Sequence, residues 1–346
     1  MAGNRAGKRW VNRPEGSNWG DFGEDDQLGR LNLLTPQKVR EGAAEVREGL
    51  AFCLSMPLDF PRGVGLLPYR KGPRLVAMTH SEDGQELFNR RSSMPNSSDV
   101  FCDDEVTLCL QYSTQWDAFS HAGQHFDADG DGVAEIVYYN GYRGGEHVLG
   151  RDGAGNHVGA LKLGIENFAE RTIQGRAVMI DVRAYLGDEW RAINFDDLQA
   201  IISRDGIEIE PGDMVCLHFG FAQKVLDAGE TTTPAMLAQY RTGLDSWDPR
   251  VLEWIDRTGI AALISDELAV EALGGAGHGC ADHEQAMMPI HELCLFKLGI
   301  PLGELWQLTP LANWLRAHGR SRFMLTAPPL RLPRAVGSPA NAVGTV

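Results

Sequence analysis

Positive charge is scarce in this chain. Thirty-two Lys and Arg stand against 47 Asp and Glu, a formal net charge of −15, and a field of that sign repels nucleic acid and anionic membranes. A small molecule is the partner that remains. No apolar run approaches the ~20 residues that cross a bilayer, and the opening Met1-Ala-Gly-Asn-Arg-Ala-Gly-Lys-Arg has no apolar segment to act as a signal. The expected compartment is therefore the cytoplasm. The six cysteines (Cys53, Cys102, Cys109, Cys216, Cys280, Cys294) have no paired CxxC spacing, and several sit in apolar patterns. They read as reduced core thiols, which excludes a disulfide framework. Neither GxxxxGK[ST] nor a GxGxxG between strand and helix is present, so nucleotide binding has no support, and no internal repeat is evident.

What is present is enough for a large core: 346 residues, 43 % of them apolar. We read residues 1–16, polar and rich in Gly, Pro and Asn, as a flexible arm, and 17–346 as a single domain. Thr35-Pro36 has the form of an N-cap followed by Pro at the first helical position, and Gly49 is expected to close that helix through Glu48. Residues 80–104 read as a long surface loop. Ala177–Val182 and Ile260–Ile264 are continuous apolar runs suited to buried strands, and Asn194 caps a helix to about Arg204. Met214–Phe219 is a further strand, in which His218 reads as a hydrogen-bonded core histidine before it reads as a site residue. Asp248-Pro249 starts a helix with Val251, Leu252, Trp254 and Ile255 on one face, ended by Gly259. Pro289 begins another, with Ile290, Leu293, Leu295 and Leu298 inward, and Gly299 stops it.

The stretch that carries chemistry is 105–121. Val106, Leu108 and Leu110 alternate with polar residues as in a half-buried strand, which a Ser113-Thr114 turn ends. Gln115, Asp117 and His121 then place an amide oxygen, a carboxylate and an imidazole within seven residues just past a strand end. Farther on, His291 falls in the first turn of the Pro289 helix, where the positive end of the helix dipole favours a neutral ring. Asp127-Ala-Asp-Gly-Asp-Gly132 opens like a calcium loop, but its twelfth position is Tyr138 where a bidentate Glu belongs, so a flexible acidic turn is the plainer reading.

Gln111-Tyr-Ser-Thr-Gln-Trp-Asp-Ala-Phe-Ser-His121 resembles the signature His-x-Gly-Thr-His-x-Asp-x-Pro-x-His of the cyclase family, which includes kynurenine formamidases and isatin hydrolases. Thr114, Asp117 and His121 match it, while both earlier His are Gln here. Asn18-Trp-Gly…Leu31-Asn, Tyr138-Tyr-Asn-Gly, Ser265-Asp-Glu-Leu-Ala-Val-Glu271, His283…Trp306 and Pro328…Asn341 resemble further family segments in matching order. The resemblance implies a long-form member with the α/β swivelling β/β/α fold, a mixed sheet core with helices outside, assembled as a homodimer or homotetramer. It also implies that His291 and Glu304 close a metal site with Asp117 and His121, and that Tyr139 and Asn140 line the pocket with Trp116 and Gln111.

One carboxylate, two imidazoles and a second carboxylate suit Zn²⁺ or Mn²⁺. With Gln at 111 and 115, one ion is expected, held by Asp117, His121 and Glu304 with Gln115 or His291 as a further ligand. His291 is then the expected base, with His121 as the other proton-carrying candidate. The implied reaction opens an amide, cyclic amide or lactone of a small molecule. A metal-assisted lyase or isomerase on a hydroxy or keto acid, and a non-catalytic binding member of the fold, remain open alternatives.

Overall fold

In the computed structural model, which describes residues 8–346 apart from 64, 82, 188 and 274–285, nine strands join one mixed sheet. They are Ala51–Cys53 (β1), Gln115–Asp117 (β2), Gln174–Asp181 (β3), Met214–His218 (β4), Ala262–Ser265 (β5), Leu302–Glu304 (β6), Arg322–Thr326 (β7), Gly337–Pro339 (β8) and Val343–Thr345 (β9). Their spatial order is β1-β9-β7-β3-β4-β5-β6-β2-β8. The central β3, β4, β5 and β6 run parallel, and their apolar runs are the segments that a sheet covered on both faces demands.

Helices cover the sheet: Pro36–Ala44 (α1), Phe195–Asp205 (α2), Phe221–Ala228 (α3), Pro249–Arg257 (α4), Pro289–His291 (α5) and Thr309–Ala317 (α6). The caps are those the sequence implies. Thr35 accepts from the N–H of Lys38, Asn194 and Asp197 form a capping box, and Asp248 accepts from Arg250. After His291, α5 continues as a π-helix over Glu292–Leu298 and ends at Gly299 in a left-handed conformation. The wider turn moves the buried face, so Cys294 and Phe296 join Ile290, Leu295 and Leu298 inside while Leu293 is only half-buried. Gly299 has no substitute: a Cβ there would sit 2.6 Å from the Gly29 Cα and 2.8 Å from the Tyr139 ring.

Several expectations fail where hydrogen bonding or packing overrides the local signal. α1 ends at Ala44 rather than Glu48, because the N–H groups of Glu48 and Gly49 turn to the Val346 carbonyl, 3.2 and 2.8 Å away. The alternating Val106 belongs to Asp104–Thr107, which pairs with Arg74–Ala77 in an exposed two-stranded ribbon. The buried strand is the next one, β2. Residues 80–104 are not a bare loop, since Arg90–Arg91 pairs with Val100–Phe101. The arm is held from residue 8 onward: Trp10 is buried edge-on to Trp19, and the N–H groups of Val11 and Asn12 bond the Ala128 carbonyl. Among the described cysteines Cys216 and Cys294 are core thiols, whereas Cys53 and Cys102 are exposed and Cys109 is half-buried. Cys280 lies outside the described residues, and no helix among those described is long and apolar enough to cross a membrane.

Asn140 anchors the N-terminal segment. Buried and left-handed (φ 55°), it donates Nδ2–H to the carbonyls of Gly23, Glu24 and Asp26 at 3.0–3.1 Å, and its Oδ1 accepts from the N–H of Gly20 at 2.9 Å. Removing it strands several backbone groups at once. Asn140→Ala is expected to lower the unfolding free energy by about 2–4 kcal/mol in denaturant titration.

Candidate metal centre

The pleat assembles the site. Residues directly opposite across an antiparallel pair share a face, and faces alternate along each strand. Gln115 and Asp117 of β2 therefore point to one side, joined by Glu304 of β6, which stands opposite Gln115. Trp116 takes the other side, where its indole N–H bonds the Ala327 carbonyl at 2.8 Å and its ring meets Trp306 edge-on at 5.0 Å. It is core, not pocket wall.

Pro289 starts α5 beside this face and delivers His291, whose Nε2 lies 3.3 Å from Glu304 Oε1. Asp117, His291 and Glu304 each offer a ligand atom within 4.8 Å of the others, and all three are buried. Two acceptors here have no hydrogen-bond donor among the described residues, Asp117 Oδ2 and Gln115 Oε1, and Glu304 Oε1 meets only the His291 ring. Buried acceptors are normally satisfied, and unsatisfied carboxylate oxygens beside an imidazole are what a divalent ion needs. The donor set fits the implied metal.

His121 stands at the edge of the cluster. Its Nε2 is 3.9 Å from Asp117 Oδ2, and its side chain is 24 % exposed. With Gln111, His291 and Glu304 it lines a largely apolar cavity of about 810 Å³. Gln111 Nε2 is buried without an acceptor. Tyr139 and Asn140, expected at the pocket, are elsewhere: the Tyr139 ring packs on Phe119 and its hydroxyl meets Asp26 at 3.4 Å, while Asn140 holds the N-terminal segment.

Electrostatics at His291 depart from the helix-dipole argument. Glu271 caps the start of α5, accepting from the N–H groups of Ile290 and His291 at 3.0 Å each and from the ring Nδ1 at 2.7 Å. Burial alone would pull the ring down, but Glu271 and Glu304 outweigh it and push His291 up to about 10. Burial, and then the Asp117 charge, raise Glu304 as well. Glu271 was the residue that sequence reasoning passed over, although a carboxylate that orients a ligating His is a general requirement. No spacing rule announces it, because it approaches from another segment.

The other candidates are self-contained. In the acidic loop Asp127 accepts the N–H groups of Gly130, Asp131 and Gly132 and Arg143 pairs with Asp129 and Glu135, while Asp127, Asp129 and Glu135 also bring ligand atoms within 4.8 Å of one another on a partly exposed face. His218 is buried and hydrogen-bonded by Asp181 and Thr309, away from this cluster.

Fold and site define an α/β protein with a buried carboxylate–imidazole cluster beside a largely apolar cavity. The family model described as Cyclase matches residues 53–272, and the chain belongs to the cyclase family. A solved structure described as a novel cyclase is 28 % identical, with a TM-score of 0.74 over 95 % of this chain and 97 % of that one. Isatin hydrolase A from Ralstonia solanacearum (17 % identity, TM-score 0.54, covering 87 % and 92 %) and from Labrenzia aggregata (15 %, 0.53, 87 % and 94 %) share the fold. No curated protein matches significantly.

The His291 shift has a defined sign. A ring raised from about 6.5 to about 10 contributes stability that is complete below pH ~6.5 and lost as pH rises through ~10. Glu304, also raised, acts in the same direction from its own lower starting point. In chelator, the melting temperature is expected to fall progressively across that window. His291→Gln is expected to flatten the fall between pH 6.5 and 10.

Proposed function

We propose that this chain is a metal-dependent hydrolase that opens an amide, cyclic amide or lactone of a small apolar molecule. The observation that carries the reading is the buried cluster of Asp117, Glu304 and His291, with Asp117 Oδ2 and Gln115 Oε1 left without donors, beside the cavity. One divalent ion, Zn²⁺ or Mn²⁺, would be held by Asp117, Glu304 and His291, with Gln115 Oε1 as a further donor. When bound, it supplies Lewis acidity to a carbonyl and lowers the pKa of a coordinated water towards ~7.

The protein's own groups do the rest. Glu271 fixes the ring plane of His291 and, by bonding Nδ1–H, leaves Nε2 as the donor atom. This favours His291 as ligand and His121 as proton carrier, the reverse of the division suggested by sequence spacing. His121 is partly exposed, lines the cavity and lies beside Asp117, so it takes a proton from the attacking water and returns it to the leaving nitrogen or oxygen. Gln111 Nε2–H supplies a neutral donor for the substrate carbonyl. The apolar walls, including Leu67, Leu110 and Phe296, suit a flat or aromatic ring.

One observation favours the binding-module reading. The Gln115 amide nitrogen reaches Glu304 Oε2 at 2.9 Å and Asp117 Oδ1 at 3.4 Å, partly satisfying the carboxylates as an ion would. Metal analysis of protein purified without added ions decides between them: about one ion per chain is expected, and an ion-free chain overturns the hydrolase. Asp117→Asn and His291→Ala are expected to lose at least ~10-fold in metal affinity. His121→Ala is expected to keep its metal and lose ~10²-fold in turnover, with isatin and simple lactones as first substrates. Metal lost from the His121 variant and kept by the His291 variant restores the opposite division.

We also propose a homodimer or homotetramer. The two ribbons within residues 74–107 expose Leu75 and Val106 on one and Val100 and Phe101 on the other, and an isolated two-stranded ribbon is barely stable in water. Light scattering should give twice or four times the 38.0 kDa chain mass, and Phe101→Asp should shift it towards monomer.

A further inference from the structure

A second cavity, of about 540 Å³, opens past the carboxyl ends of β3 and β4 and shares no lining residue with the first. Parallel strands commonly present ligands there. Asp181 ends β3, His218 ends β4 and Thr309 begins α6. His218 Nδ1 is 2.8 Å from Asp181 Oδ1, and His218 Nε2 is 2.9 Å from Thr309 Oγ1. Arg316 pairs with Asp181 Oδ2, and the Ala184 N–H bonds Oδ1 at 3.1 Å, which hold that carboxylate ionised. The Asp181 carboxylate takes the Nδ1–H of His218, which leaves Nε2 as the ring nitrogen that can accept from the Thr309 hydroxyl. These are the contacts of an activated hydroxyl: nucleophile bonded to a base, base oriented by a carboxylate.

We propose that Thr309, His218 and Asp181 form a nucleophilic relay that accepts the acyl group of a small ester carrying a negative charge. The same bonds would tie strands to helix if all three groups were sealed, but Thr309 is partly exposed and lines the cavity. It is also the first residue of the nine-residue α6, where Leu308 supplies no side-chain cap, so the positive end of that helix stands beside the hydroxyl. With Arg316 paired to Asp181, Arg183 and Lys224 line the cavity against one further acid, Asp227, which leaves one cation in excess. In a chain of net charge −15 that local excess of cations selects an anionic substrate.

In the reaction, Thr309 Oγ forms a bond to the ester carbonyl carbon and its proton passes to His218 Nε2. The carbon–oxygen bond to the alcohol then breaks, and the leaving oxygen takes that proton. Water repeats the sequence on the acyl-threonine to release the acid and restore the hydroxyl. No metal or oxidant enters.

The test uses the full-length protein with 4-acetoxybenzoate, an anionic ester, and reads both released 4-hydroxybenzoate and the acetyl adduct by peptide mass mapping. Acetylation of Thr309 is expected in wild type, unchanged by chelator, with release at least ~10²-fold slower in Thr309→Val and His218→Gln. Thr309→Ser keeps the hydroxyl and should be acetylated at that position, which preserves the test if the valine variant fails to fold. Acetyl on any other residue, no adduct at all, or release abolished by chelator and unaffected in Thr309→Val overturns the relay.

Discussion

Two carboxylates buried side by side are the constraint around which this site is arranged. Asp117 and Glu304 are almost fully enclosed, and charges of one sign in such a place are costly unless something positive meets them. The sheet leaves them no escape. β2 and β6 are paired in a register that puts Glu304 opposite Gln115, and a slip by one residue would turn Asp117 into the core and Trp116 into the cavity. The indole of Trp116, bonded to Ala327 and packed on Trp306, locks that register from the other face. What answers the charge is His291 and, by the reading above, a divalent ion.

Glu271 gives the imidazole its direction. By capping the first turn of α5 and bonding the ring with the same carboxyl group, it couples the helix start to the ring orientation, so backbone and side chain cannot move independently. The π-helical turn that follows, ended by Gly299 against Gly29 and Tyr139, fixes the same helix from its other end. The Tyr139–Asn140 pair thus supports the carboxylate–imidazole cluster from behind rather than lining the cavity.

The replacement of two signature histidines by Gln111 and Gln115 changes the chemistry more than the shape. An amide occupies similar space and keeps an oxygen donor, but it brings an N–H₂ as well. At 115 that group bridges the two carboxylates, and at 111 it is left without an acceptor beside the cavity.

Local sequence chemistry was sufficient for the parts that depend on neighbours in the chain. The caps at Thr35, Asn194 and Asp248, the apolar runs of β3, β4 and β5, and the start and stop of the His291 helix at Pro289 and Gly299 follow from propensity and capping, which act over a turn or less. The segment order resembling the cyclase family made Asp117, His121, His291 and Glu304 candidates together. Only the tertiary structure decided how they share a point. His291 faces Glu304 and Glu271 from 13 and 20 residues away, and Asp117 faces Glu304 across a strand pair 187 residues apart, distances at which spacing rules have no force. Trp116 went to the core because pleat alternation sends the residue between two site residues to the opposite face. The same reason puts the visible alternation of 104–107 outside: a pattern of period two says that a strand has two faces, and only the rest of the fold says whether either of them meets a core.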